Sequence, residues 1–172
     1  MNKILNKKKG ILFWITGVSG AGKSTLAKKI YFRIKKEYGP TIILHGDNLR
    51  KVFKLKGYSR KERLIIGKKY IMFLKLIINQ KINVIFSVIG LFDELRKINR
   101  KEFDNYVEIF IKTNLKKIFK NKKHIYKKNN VWGKNIKPEY PKKPNIIINN
   151  NLDKNLNNLS NLLFDKIKTY LK

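Results

Sequence analysis

The stretch GVSGAGKST, Gly17 to Thr25, constrains this chain more than any other. It satisfies G-x-x-x-x-G-K-[ST] through Gly17, Gly22, Lys23 and Ser24. It also stands between an apolar run, GILFWITG (10–17), and a segment of helical periodicity (24–37). Strand, loop and helix in that order make a phosphate cradle: glycines let backbone N–H groups turn inward, and the following helix adds its positive end. Gly17, Ser19, Gly20, Ala21, Gly22, Lys23, Ser24 and Thr25 are therefore expected to hold the phosphates of a nucleoside triphosphate. Lys23 would reach the β- and γ-phosphates, and the Ser24 hydroxyl would take Mg²⁺.

Such a loop works at the carboxyl edge of a parallel sheet, and the other apolar runs supply one. PTIILH (40–45), NVIFSVIG (83–90), YVEIFIK (106–112) and PNIIINN (144–150) are short and rich in β-formers, as buried strands are. Helical patterns fall between them at 59–80, 92–103, about 114–128 and 153–171, the last with Asp153 near its start. A short helix is expected at 48–53. This alternation predicts an α/β fold, a five-stranded parallel sheet with helices on both faces, in a single domain spanning 1–172. The Lys- and Asn-rich segment 119–144 interrupts the periodicity and is expected to be a basic lid.

A chain of 172 residues with 42% hydrophobic content can fill one core. Its formal charge of +30 would point to nucleic acid if the basic residues clustered. But 35 of the 41 are Lys, and they spread over the whole length, so a solvated surface is expected and no specific nucleic acid. The absence of cysteine excludes disulfides and thiolate metal sites and suits the cytoplasm. The opening MNKILNKKKGILFWITGV imitates a signal peptide, yet cleavage there would destroy the phosphate loop. No apolar stretch reaches the ~18 residues that a membrane span needs.

Among nucleotide users, a GTPase would carry N-K-x-D after a later strand, and none is present. A motor or transporter ATPase would end a strand in consecutive acids, whereas the third strand here ends SVIG. A kinase acting on a small metabolite remains. In LHGDNLR (44–50), Asp47 follows the second strand at the same sheet edge as the loop. It could face the γ-phosphate, take the proton of an attacking hydroxyl and help hold Mg²⁺ through water, or it could cap the helix at 48–53. The residues alone leave both readings open.

FWITGVSGAGKSTLA, LHGDNLR, and GYS with KERL together resemble the adenylylsulfate kinase family, and the pattern can be followed from residue 11 to about 150. The resemblance implies a P-loop kinase that moves the γ-phosphate of ATP, with Mg²⁺, to the ribose 3′-hydroxyl of a nucleotide. It implies Asp47 and Lys23 as catalytic, with Asp47 as base, and Ser24 and Asp47 as metal-holding. Arg50 and Arg63 would grip the acceptor's anionic bridge, and Tyr58 would stack on its base. KKHIYKK (122–128) resembles an altered K-G-L-Y lid motif that would bring Lys123 and Tyr126 over the reacting phosphates, and PEYPKKP (138–144) the turn before the last strand. Ile89 and Trp132 complete the acceptor pocket that the resemblance implies. Trp14 is expected in the core and His45 at a strand end.

Departures from the family concentrate on that pocket. D-R-x-E-N is replaced by Glu62, Arg63, Leu64, Ile65 and Ile66, and A-F-I-S-P by SVIGL (87–91), which puts Val88 for the aromatic and Gly90 for the serine. F-T-G becomes Val131, Trp132 and Gly133, and the lid's Arg-Asp becomes Lys120 and Asn121. Losing a two-sided aromatic clamp weakens purine binding, since stacking contributes ~1–3 kcal/mol per base. A divergent branch resembling this family, in capsule biosynthesis, phosphorylates the same hydroxyl of cytidine diphosphoramidate, whose smaller base needs one aromatic and aliphatic walls. That is the expected acceptor, with adenylyl sulfate as the alternative. A non-catalytic nucleotide- or RNA-binding module is the competing class, and it would not need Asp47 with two arginines. The expected partners are ATP and a small nucleotide acceptor, with a homodimer held open.

Overall fold

Each of the five apolar runs forms a strand in the computed structural model, which describes residues 5–121, 132, 136–152 and 155–172. β1 (Leu12–Thr16), β2 (Thr41–His45), β3 (Asn83–Ser87), β4 (Tyr106–Lys112) and β5 (Ile146–Asn149) make one parallel sheet in the order β2-β3-β1-β4-β5. Every residue of β1 is buried. Successive side chains point to opposite faces of a sheet, so both faces are covered. α1 (Lys23–Tyr38) packs with α6 (Leu156–Leu171), and α3 (Arg60–Ile78) packs with α4 (Asp93–Glu102). The short helices α2 (Gly46–Val52) and α5 (Leu115–Asn121) follow β2 and β4. The inward stripe of α1 is Leu26, Ala27, Ile30 and Ile34, while Phe32 is 76% exposed.

The starts of three helices have a local cause that the sequence reading did not give. α6 starts at Leu156 rather than 153, because the Asn155 side chain accepts a hydrogen bond from the Asn157 N–H at 2.8 Å and so caps the helix; Asp153 lies outside the described residues. α2 starts at Gly46, with His45 as its cap residue and no side-chain cap bond. Asp47 therefore sits inside the first turn, not at the capping position. α3 opens with a reciprocal cap in which Ser59 Oγ accepts from the Glu62 N–H and Glu62 accepts from the Ser59 N–H at 2.9 Å. Glu62, one of the departures from the family pattern, is thus a helix-starting residue. The expected helix to 128 and the lid motif with Lys123, His124 and Tyr126 fall outside the described residues beyond Asn121. Among the described residues, no helix is long and apolar enough to cross a membrane.

Candidate active site

The parallel order brings the ends of β1, β2 and β3 to one edge, and the loop between β1 and α1 lies there. Gly22 holds φ near 90°, and a Cβ on it would stand 2.8 Å from the Asn150 side-chain nitrogen. The close approach has a purpose: buried Asn150, just past β5, donates from Nδ2 to the Ala21 carbonyl at 2.9 Å and accepts from the Leu152 N–H at 3.1 Å. The far edge of the sheet therefore props the phosphate loop. Lys23 Nζ donates to the Val18 carbonyl across the same loop at 2.7 Å. Asn150→Ala would leave Ala21 O and Leu152 N without these bonds, at about 1–3 kcal/mol. The expected result is a melting temperature lower by roughly 3–8 °C and ATP binding weaker by roughly fivefold, read by thermal denaturation and calorimetric titration.

From the β2 side, Asp47 is exposed to the cavity in the first turn of α2, whose start is fixed by Tyr70 OH donating to the Gly46 carbonyl at 2.9 Å. Gly46 passes so close to β3 that a Cβ would meet Val88 Cγ2 at 2.9 Å. His45 and Ser87 are register partners on β2 and β3. Ser87 Oγ lies 2.6 Å from His45 Nδ1 and 3.1 Å from Ser24 Oγ. Burial, then Lys28, hold the His45 imidazole below its usual range against the opposing pull of Asp47. Among the described residues no three His, Cys, Asp or Glu side chains cluster to cage a metal. Ser24 and Asp47 on one cavity offer a hydroxyl and a carboxylate. This suits Mg²⁺, which keeps several waters and takes few protein oxygens beside substrate phosphates.

The opposite wall is built by α2, α3 and the segment after β3. Arg50 donates to the Leu55 carbonyl at 3.2 Å and the Gly57 carbonyl at 2.7 Å, and Arg63 Nε donates to the Tyr58 carbonyl at 2.7 Å. Both guanidinium groups lie over the Tyr58 ring, at 4.7 and 5.3 Å from its centre. Burial, then Arg50, lowers the Arg63 pKa, with Tyr58 and Asp47 opposing. Deeper in, Trp14 is a core residue that also walls the cavity, as does Ile89, whose carbonyl accepts from Thr16 Oγ1. Gly90, at φ 48°, leaves room for the Trp14 indole, which a Cβ would meet at 2.8 Å. Trp132 is buried edge-on against Phe92 at 4.8 Å. Glu139 pins this corner by pairing with Arg60 and accepting from the Asp93 N–H at 2.7 Å. Burial pushes its carboxyl up, but these partners together bring it below the usual range.

A single cavity of about 290 Å³ is therefore lined by Ser19, Gly20, Gly22, Lys23, Ser24 and Thr25 on one side. Asp47, Arg50, Tyr58, Arg63, Ile89 and Trp132 line the other. Of the expected residues, Gly17 and Ala21 shape the loop without reaching that wall, and Lys123 is outside the described residues. Asn150, Ser87, Tyr70 and Glu139 were not expected, and the His45 contact goes beyond a strand end.

The family model for adenylylsulphate kinase matches residues 9–149. A cytidine diphosphoramidate kinase from Campylobacter jejuni is 31% identical over 168 residues, covering 94% of this chain and 98% of that protein. An adenylyl-sulfate kinase from Clostridium kluyveri is 31% identical over 165 residues, covering 89% and 81%. Among solved structures, the Mycobacterium tuberculosis APS kinase in complex with AMPPNP and APS superposes with a TM-score of 0.77 at 22% identity, covering 93% of this chain and 98% of that one.

Proposed function

The chain belongs to the adenylylsulphate kinase family, and from that premise we propose that it transfers the γ-phosphate of ATP to the ribose 3′-hydroxyl of cytidine diphosphoramidate in the cytoplasm. The observation that carries the reading is the sharing of one cavity by the phosphate loop, Asp47, Arg50 and Arg63. Backbone N–H groups and Lys23 hold the donor phosphates. Asp47 takes the proton of the attacking hydroxyl, and Arg50 and Arg63, already fixed by their own carbonyl contacts, receive the anionic bridge of the acceptor. Ser24 and Asp47 would hold Mg²⁺, which neutralises charge on the phosphates. Positioning and fixed charge account for most of what a phosphoryl-transfer enzyme has to supply.

The acceptor side favours a pyrimidine. Val88, Ile89 and Gly90 give aliphatic or open walls on one side of the cavity, and Tyr58 and Trp132 are the rings this reading gives to the base, beside the further rings of Trp14, Tyr70 and Phe92. The Campylobacter jejuni relative, aligned over nearly its whole length, supports the same acceptor. Purified protein with ATP and Mg²⁺ is offered cytidine diphosphoramidate and adenylyl sulfate separately, and products are identified by ³¹P NMR. A new 3′-phosphomonoester resonance on the cytidine compound is expected. Turnover of adenylyl sulfate alone would replace the acceptor, and turnover of neither would remove the kinase reading.

A further inference from the structure

Three side chains form a line that the reaction as described does not use: Ser24 on the phosphate loop, Ser87 at the end of β3 and His45 at the end of β2. The two links measure 3.1 Å and 2.6 Å between heavy atoms. Ser87 and His45 come from adjacent strands in register, so the sheet itself sets their spacing. Ser87 is 3% exposed and lies too deep to serve as a surface hydroxyl.

The direction of the bonds follows from what Ser24 must do. A serine hydroxyl has one proton and two lone pairs. Once a lone pair faces a cation, the proton must point elsewhere, and Ser87 Oγ is the hydroxyl within reach. Ser87 can accept that proton and still have its own to place. His45 Nδ1 accepts it when the neutral ring carries its proton on Nε2. Reversing the Ser24–Ser87 bond would turn the Ser24 proton toward the metal, and an acceptor at His45 for the Ser87 proton favours the direction that avoids this.

We infer that His45 and Ser87 are positioning residues that orient the Ser24 hydroxyl as a metal ligand, forming the outer shell of the Mg²⁺ site. The inference rests on the reading of Ser24 as the metal-holding residue. It assigns work to the end of β3, which carries no acid and presents Ser87 backed by an imidazole from β2. Outer-shell partners of this kind typically contribute ~10–100-fold in metal affinity.

The test measures metal binding directly. Mn²⁺ affinity is read by electron paramagnetic resonance in the complex with ADP, for the wild type and for Ser24→Ala, Ser87→Ala, His45→Ala and His45→Asn. ADP affinity in EDTA and thermal melting are measured on the same samples. Ser87→Ala and His45→Ala are expected to weaken Mn²⁺ by ~10-fold or more, with metal-free ADP affinity unchanged within about twofold. His45→Asn, whose side-chain oxygen can stand in for Nδ1, is expected to recover most of that loss. Mn²⁺ affinity unchanged in both alanine variants while Ser24→Ala abolishes it would overturn the inference and leave Ser24 as the ligand. Mn²⁺ affinity unchanged in Ser24→Ala would remove the metal reading of Ser24 and the inference with it. His45→Asn binding no better than His45→Ala would deny the acceptor role. A variant that melts early and loses metal-free ADP binding would show a purely structural role, which also overturns it.

Discussion

Lys23→Ala is expected to give a folded protein whose phosphoryl transfer is slower by ~10³-fold, the scale seen when one preorganised charge is removed from a transition state. Lys23 begins α1, and its ammonium already spans the loop to the Val18 carbonyl, so it is held in place before any nucleotide arrives. The other cations on the cavity cannot substitute. Arg50 is tied to the carbonyls of Leu55 and Gly57, and Arg63 to that of Tyr58, so both stay on the wall opposite the loop. Alanine has the highest helix propensity, and removing one charge from a chain of +30 relieves repulsion, which offsets the lost bond to the Val18 carbonyl, so melting should shift by no more than about 4 °C. Lys23→Arg should recover little, because a planar fork does not replace a compact ammonium. Turnover rate, melting and ADP binding measured together check this. A rate within tenfold of wild type would take Lys23 out of the transfer step.

Asp47→Asn is the second large effect, a fall in turnover of ~10²–10⁴-fold, the range for loss of a general base. The competing role, helix capping, makes a different prediction. Asp47 lies in the first turn of α2 with no side-chain cap bond, so its contribution to that helix is the macrodipole interaction, ~0.3–1 kcal/mol. Asp47→Asn should accordingly shift melting by no more than about 4 °C while stopping catalysis. ADP affinity in EDTA should be unchanged, since the proposed function gives the phosphates to the loop and not to Asp47. If melting drops sharply and turnover survives, Asp47 is a structural residue.

The strands were legible in sequence because a sheet covered on both faces demands largely apolar runs, and GILFWITG has no other comfortable fate. The phosphate loop was legible because its glycines, Lys23 and Ser24 carry their own spacing. What the sequence hid is contact between strand ends. His45 and Ser87 are 42 positions apart, and only the β2–β3 register makes them neighbours. Asn150 meets Ala21 across 129 positions for the same reason. Glu62, read as a departure in an acceptor motif, serves the start of α3, which a capping pattern at Ser59 could have signalled. Glu139, in a turn-like proline segment, reaches Arg60 and the start of α4 through tertiary packing that no local pattern encodes.

The prop under the phosphate loop also orders events during synthesis. The loop is translated early, at residues 17–25, yet the residue that supports it from below is Asn150, carried past β4 by the last strand. A nascent chain that has emerged only through β4 holds the motif but lacks the carbonyl partner at Ala21 and the edge of the sheet beyond it. Domains fold as units as they leave the ribosome. ATP, which stabilises only what it binds, therefore favours the completed sheet over a truncated one.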